Sequence, residues 1–212
     1  LVGPMRDIYS SLLLEKPDLH MEDLHVLPQL NHWGGSRPYV KRKEMVKVPI
    51  DETTNLGPFG SFHYKPDDEV RSDAYMKPKS LCAFTKILQH WQQSCEGEGC
   101  QVQFGDIYHH DSWGVHSSHD SGECVDIRPM KKNDDFNRGL TYQSERYDRE
   151  KTGEFIELLQ RSGARTIIFN DRELSSEGIL HDGGDVHNDH IHVCFGEDRD
   201  RVQKTCEEGI GP

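Results

Sequence analysis

Two short segments of the chain, residues 114–128 and 187–195, are rich in histidine. The first segment has the spacing His-x-x-His-x6-Asp and the second has the spacing His-x-x-His-x-His. The residues concerned are His116, His119, Asp126, His187, His190 and His192. Imidazole nitrogens and carboxylate oxygens are zinc ligands, and a catalytic zinc typically keeps three protein ligands and one open position for water. The two segments therefore predict a metal centre.

The expected ligands are His119, Asp126 and His192, which together form a three-ligand set of the catalytic type. Calcium and magnesium require more oxygen ligands than this cluster offers, so zinc is the expected metal, with other divalent transition metals able to substitute. Isolated histidines in loops are usually surface residues, and His109 and His110 fit that interpretation. A surface location does not explain why the other histidines recur at fixed spacings in two segments that alternate apolar and polar residues.

The second motif alternates apolar and polar residues, as a β-strand with one face toward the core does. The apolar row consists of Ile191, Val193 and Phe195, and the opposite row consists of His190, His192 and Cys194. Two imidazoles should therefore project from one face of the strand. The same rule, extended backwards, directs Asp189 away from His190.

The first motif alternates in the same way, with Val125 and Ile127 facing the core and Asp126 on the other face. If the two motif strands are antiparallel neighbours with Asp126 opposite His192, then residue 124 lies opposite residue 194. That register would allow a disulfide between two cysteines beside the metal site. The resulting pairs are Cys124–Cys194 and, by elimination, Cys95–Cys100 and Cys82–Cys206.

Composition limits the class of protein. The chain has 212 residues, 33% hydrophobic residues, 19 glycines and 10 prolines, which predicts one loop-rich domain with a proper core. The net charge of −12 opposes binding to nucleic acid or an anionic membrane by bulk electrostatics. No apolar run approaches the roughly 20 residues that span a bilayer, so we expect no membrane span.

The six cysteines form an even set without any Cys-x-x-Cys pair. This favours three disulfides and an oxidising compartment over a cysteine zinc site. We therefore expect a periplasmic or secreted protein.

Hydrophobic periodicity indicates an α+β domain with a small, mainly antiparallel sheet and flanking helices. One helix should begin with Ser80 as its N-cap and end at the glycine-rich residues 95–100, followed by a strand over residues 101–104. A second helix should have Asp148 as its N-cap and stop at residues 162–163, before a strand over residues 166–169. Residues 1–79 read as an irregular arm or subdomain that wraps the core, with a short helix near residues 4–14 and a strand near residues 44–50.

The two motifs resemble the penicillin-insensitive murein endopeptidases, which belong to the group of zinc peptidases that includes lysostaphin-type enzymes and D-Ala-D-Ala metallopeptidases. The wider group shares only the His-x6-Asp and His-x-His cores, whereas His116 and His187 stand at the spacings of the murein endopeptidases. The resemblance covers roughly residues 80–196 and includes Gly105-Asp106. Residues 1–79 and the tail after residue 196 lie outside it, and the insertion at residues 131–147 departs from it.

The resemblance implies a zinc-dependent endopeptidase that hydrolyses peptide cross-links of bacterial peptidoglycan through a metal-activated water. It makes residues 80–212 a zinc peptidase domain, with peptidoglycan peptide stems as its partner. By resemblance, His119, Asp126 and His192 bind the metal and His190 is the catalytic base. The resemblance also has His187 and His116 line the site and hydrogen-bond to the water or the transition state, with a ligand role for His116 left open.

Two alternatives use the same residues. A zinc-binding fold of this group can serve as a non-catalytic recognition or signalling module, as in the amino-terminal Hedgehog domain. A phage lysin or toxin could use the same chemistry on a different cell-wall bond. The presence of His116, His187 and His190 beside the three ligands favours an enzyme.

Overall fold

A computed structural model gives the architecture of the chain and describes residues 45–47, 75–108, 118–133, 140–174, 177–196 and 200–210. The described residues form an α+β fold, as the sequence predicts. The helix predicted near residues 4–14, together with His109, His110 and His116, lies outside the described residues. The division at residue 79 stays a prediction.

The strands form two sheets. A small sheet pairs β1 (Val46–Lys47) with β2 (Tyr75–Met76) in antiparallel fashion, so the strand predicted near residues 44–50 is described over two residues. The main sheet has the order β3-β4-β7-β5-β6. Its strands are β3 (Phe104–Gly105), β4 (Cys124–Ile127), β5 (Ala164–Ile168), β6 (Ile179–Leu180) and β7 (Ile191–Phe195).

The main sheet is mainly antiparallel, as predicted, because only the pair β5–β6 is parallel. The strand predicted over residues 101–104 is shorter and later than expected, since pairing with β4 begins only at Phe104. The strand predicted over residues 166–169 begins earlier, at Ala164, and ends at Ile168.

The first long helix, α1 (Pro78–Ser94), has its N-cap three residues before the predicted one, so the prediction of Ser80 as the N-cap is wrong. Lys77 is extended and stands at the N-cap, and proline suits the first helical position because its missing N–H has no partner there anyway. Ser80 therefore lies inside the first turn. The predicted apolar face is confirmed, since Leu81, Phe84, Ile87, Leu88 and Trp91 are buried.

The second helix, α2 (Arg149–Arg161), confirms its predicted ends. The Asp148 carboxylate accepts a hydrogen bond from the Lys151 N–H at 3.0 Å, which satisfies one of the unpaired donors of the first turn. The helix stops at Ser162, and Gly163 follows with a φ of 106°. A third helix, α3 (Asp200–Glu208), comes after the last strand.

The helices pack on the core face of the sheet. Phe84 of α1 lies edge-on to Phe104 with ring centroids 4.8 Å apart, and it also contacts Phe195 of β7. Trp91 packs edge-on against Phe155 of α2 at 5.1 Å. The apolar rows of both motif strands belong to this core. The opposite face of the sheet is therefore left to carry polar chemistry.

The register between β4 and β7 is the predicted one. Asp126 pairs with His192 and Cys124 pairs with Cys194. The second pair forms a disulfide, and Cys95–Cys100 and Cys82–Cys206 are also bonded, so all six cysteines are used. Three disulfides are compatible with an oxidising compartment. Among the described helices, none has the length and apolar character needed to cross a bilayer.

Candidate metal centre

Asp126 of β4 is the centre of a buried cluster of histidines. Its Oδ1 atom lies 2.8 Å from His192 Nδ1 and 3.4 Å from His119 Nε2. The three residues are only 2–4% exposed, and one potential ligand atom from each lies within 4.8 Å of the others. The structure thus brings together the three residues that the sequence predicts as metal ligands.

Each ligand is held by a different local element. Asp126 and His192 are register partners on adjacent strands, whereas His119 begins a 3-10 turn, His119–Ser121. Gly122 ends that turn with a φ of 70°, and a Cβ atom there would lie 2.7 Å from the Met45 sulfur. Because that sulfur is near the end of a flexible side chain, it is mainly the positive φ that favours glycine where the chain turns from His119 into β4.

The donor set suits zinc. Two imidazoles and one carboxylate are the ligand types of catalytic zinc sites, and ligand atoms around a tetrahedral zinc lie about 3.3 Å apart. The 3.4 Å separation of His119 and Asp126 matches this value. Ser118 Oγ lies 3.1 Å from His192 Nε2. In the structure, His192 Nδ1 lies at hydrogen-bond distance from Asp126 Oδ1, 2.8 Å. With a metal bound, the ring would carry its proton on Nε2 and donate it to the Ser118 hydroxyl, which would leave the Nδ1 lone pair for the metal.

The electrostatics of the cluster favour an ionised carboxylate. Burial disfavours the charged form of Asp126, but hydrogen bonds from His119 and His192 outweigh burial. The pKa of Asp126 therefore lies far below its usual range. A carboxylate that stays charged at neutral pH is the form that binds a metal.

His190 stands beside the three candidate ligands, on the same side as Asp126 and His192 as alternation predicts, although it lies just before the strand. Strand β7 begins at Ile191, and Asp189 closes the preceding 3-10 turn with φ −115° and ψ 0°. The prediction that Asp189 faces away from His190 is wrong: its Oδ1 lies 2.9 Å from His190 Nδ1. The alternation rule fails for Asp189 because this residue belongs to the turn that precedes the strand.

Asp189 is itself held by a buried cation. Arg128, which follows β4, donates from Nη1 to both the backbone oxygen and the carboxylate of Asp189. The other ring nitrogen of His190, Nε2, lies 3.5 Å from Asp126 Oδ2. His190 is thus fixed with one nitrogen on Asp189 and the other toward the ligand cluster.

The charges around His190 change its acidity. Burial lowers the pKa of His190, but the hydrogen bond to Asp189 and the charge of Asp126 outweigh burial and raise it above its ordinary value. The pKa of Asp189 falls to about 2, because hydrogen bonds from His190 and Arg128 overcome its burial. This pairing strengthens His190 as a proton acceptor.

His187 completes the group on the second motif. Its ring centroid lies 4.9 Å from that of His190 and 5.8 Å from that of His192. His187 Nδ1 lies 2.5 Å from Asp182 Oδ2. Burial lowers the pKa of His187 despite this hydrogen bond, and the neighbouring His190 lowers it further. The neutral ring therefore donates from Nδ1 to Asp182 and keeps Nε2 as an acceptor.

Asp182 is anchored by Asn170, two residues after the end of β5. Asn170 Nδ2 lies within hydrogen-bond distance of Asp182 Oδ1, the Gly184 carbonyl and Asn188 Oδ1, at 2.8, 2.9 and 3.0 Å. The Asp182 N–H returns a bond to Asn170 Oδ1 at 3.2 Å. One asparagine thus organises the loop that presents His187.

A second group of potential ligand atoms, from Cys124, Cys194 and His192, lies on the same face. The two sulfurs are bonded to each other, so they do not act as thiolate ligands. The Cys194 sulfur instead lies 3.2 Å from His192 Nε2. The disulfide therefore packs against the ligand histidine.

Sequence patterns did not assign a role to Ser118, Arg128, Asp182 or Asp189. Asp189 and Arg128 stood inside or beside the motifs, so closeness in sequence was an available signal. Asp182 offered none, because its contact with His187 depends on the closure of a loop. Comparisons with protein-family models, with curated proteins and with solved structures found no match.

Proposed function

We propose that the protein is a zinc-dependent endopeptidase that hydrolyses peptide cross-links of bacterial peptidoglycan. The observation that supports this function is the convergence of His119, Asp126 and His192 with a fourth imidazole, His190, at 3.5 Å from the shared carboxylate. A purely structural metal site is usually closed by four protein ligands, whereas three ligands with an adjacent base are typical of hydrolysis.

The three ligands would hold zinc, which supplies a Lewis acid and water of lowered pKa. His190 accepts a proton from the attacking water and passes it to the leaving amine. Asp189 fixes the ring of His190 through Nδ1, so that Nε2 is the nitrogen on the side of the cluster. His187, held neutral on Asp182, presents Nε2 as an acceptor, which suits a role in holding the water more than in stabilising an oxyanion.

Peptidoglycan as the substrate rests on the motif resemblance, and an oxidising compartment fits it. The three disulfides support a location in the periplasm or outside the cell. The non-catalytic alternative predicts zinc binding without turnover. The lysin or toxin alternative predicts turnover of a different cell-wall bond.

The test is digestion of purified cross-linked muropeptides, with products identified by mass spectrometry. We expect dimers to be converted to monomers, activity to be lost with a chelator and activity to return with zinc. His190→Ala should bind one zinc per chain but lose most of the turnover. His90→Ala is the matched control, because His90 lies on α1 and contacts Arg161.

Failure of the zinc-loaded protein to cleave any cross-linked muropeptide would contradict the proposed substrate. Zinc binding at full stoichiometry in His119→Ala would contradict the ligand assignment. Cleavage of a bond other than the cross-link would identify the lysin or toxin alternative.

A further inference from the structure

The face of the sheet that carries the ligands continues beyond them as an apolar surface. Asp126 pairs with His192, His192 pairs with Ile168 of β5, and Ile168 pairs with Leu180 of β6. Register partners on neighbouring strands project to the same side of a sheet. Ile168 and Leu180 therefore extend the row of ligands across two further strands.

The core lies on the other side. Ile167 and Ile179, the next pair in the same two strands, belong to the hydrophobic core or pack against it, whereas Ile168 and Leu180 do neither. Leu180 is 55% exposed and Ile168 is half-buried. We call this pair, Ile168 and Leu180, the apolar shelf.

An exposed leucine alone carries no functional information, because much of any protein surface is apolar. The position of the shelf is what matters. Among the described residues, the exposed large hydrophobic side chains are Leu180 and Val186, and both stand next to the site. His181 and Asp182 follow Leu180 directly, and Asp182 holds His187. The shelf is thus joined to the site through the sheet and through the loop.

Distances across the sheet set what the shelf can contact. Neighbouring strands lie about 4.8 Å apart, so Ile168 is about 5 Å and Leu180 about 10 Å from His192. An extended peptide advances about 3.4 Å per residue. A group within about three residues of the hydrolysed amide would therefore reach the shelf.

We infer that the apolar shelf is a substrate subsite that binds an aliphatic group close to the amide that is hydrolysed. The inference rests on the proposed function, since it assigns the shelf to the substrate of the same metal site. The ligand is an aliphatic side chain or a methylene chain. Its burial against Ile168 and Leu180 removes apolar surface from water, which favours binding by up to about fourfold per methylene.

The test measures binding of alkyl hydroxamates to the full zinc-loaded chain by calorimetry. A hydroxamate anchors on zinc, so its tail samples the neighbouring surface. Between acetohydroxamate and octanohydroxamate, six added methylenes at about twofold each should tighten binding on the order of 50-fold. We call the dissociation constant of acetohydroxamate divided by that of octanohydroxamate the tail ratio. Leu180→Ala should reduce the tail ratio several-fold, while the zinc content and the affinity for acetohydroxamate stay unchanged.

Val186→Ala is the matched control, because Val186 is also exposed and apolar but lies outside the sheet row. Val186→Ala should keep the wild-type tail ratio. Three results would each contradict the proposed subsite: a tail ratio near one in the wild type, an unchanged tail ratio in Leu180→Ala, or a reduced tail ratio in Val186→Ala alone. Absence of zinc binding overturns the shelf and the proposed function together.

Muropeptide cleavage is scored separately. Tail-dependent hydroxamate binding without cleavage of any cross-link supports the shelf and contradicts the proposed function. Cleavage of a cross-link without tail-dependent hydroxamate binding supports the proposed function and contradicts the shelf.

Discussion

Asp126 and His192 face each other directly across β4 and β7, with the carboxylate Oδ1 2.8 Å from the imidazole Nδ1. Both side chains are buried. Two candidate ligands on one rung of a sheet cannot separate without breaking the pairing of the strands. The rigidity of the sheet therefore preorganises two of the three candidate metal ligands.

Asp126→Asn should abolish tight zinc binding, because the amide keeps the shape of the side chain and removes its charge. A bound ligand raises stability by about 2.7 kcal/mol at one hundred times its dissociation constant. Zinc should therefore raise the melting temperature of the wild type and leave that of the variant unchanged. Asp200→Asn, at the exposed start of α3, is the control, and an equal zinc response in both variants would refute Asp126 as a ligand.

Ser118→Ala should weaken zinc binding about 10- to 100-fold, the usual effect of removing a group that orients a ligand histidine. The hydroxyl lies 3.1 Å from His192 Nε2, so on the proposed assignment it would select Nδ1 as the nitrogen that faces a bound metal. Competition with a chromogenic chelator measures the affinity. Ser121→Ala is the control, because within the described residues its hydroxyl bonds to backbone groups of Ser118 and Glu123. Equal loss in both variants would argue for a general disturbance of the turn.

Asp189→Asn should lower kcat about 10- to 100-fold and leave zinc content unchanged. The substitution removes the charge that orients His190, and general base catalysis contributes roughly 10²- to 10⁴-fold. Steady-state kinetics on a purified muropeptide dimer and metal analysis check the two expectations. Unchanged kcat would show that His190 does not depend on Asp189, and loss of zinc would place Asp189 in the metal site.

Asp182 should contribute to stability in a defined acid range. Its pKa falls to about 2, because hydrogen bonds from His187, Asn170 and Gly184 outweigh burial. The folded state therefore binds fewer protons than the unfolded state, so the contribution is full above pH about 4 and is lost as the pH falls through about 2.

Urea unfolding of the metal-free protein between pH 5 and pH 2 measures this effect. Asp182→Asn should show a smaller fall in the free energy of unfolding across that range. The same fall in wild type and variant would contradict the folded-state hydrogen bonds of Asp182.

Loss of the Cys124–Cys194 disulfide should cost about 4 kcal/mol, and loss of Cys95–Cys100 about half as much. The first closes a segment with a sequence separation of 70 and the second a separation of 5, and the chain entropy removed from the unfolded state grows with loop length. Each disulfide is removed by replacing both of its cysteines with serine, and urea unfolding of the two variants measures which loss of stability is larger. The reverse order would mean that local strain or packing outweighs chain entropy.

The sequence by itself determined the donor types, their spacing and the two-faced character of both motif strands. On the assumption that Asp126 lies opposite His192, it also predicted the Cys124–Cys194 disulfide, because one register partner determines the next; the pairing of the two strands itself was decided by the tertiary structure. The helix caps at Asp148 and Ser162 could also be predicted, because capping involves only residues that are close in sequence.

Only the tertiary structure decided which side chains outside the strands support the site. Asp189 contacts His190 because β7 begins one residue after His190, and the start of a strand depends on pairing with β4 and β5. Asp182 meets His187 only after Asn170 closes the loop. The apolar shelf likewise depends on β6 joining the edge of the sheet, a contact between segments that no local sequence period records.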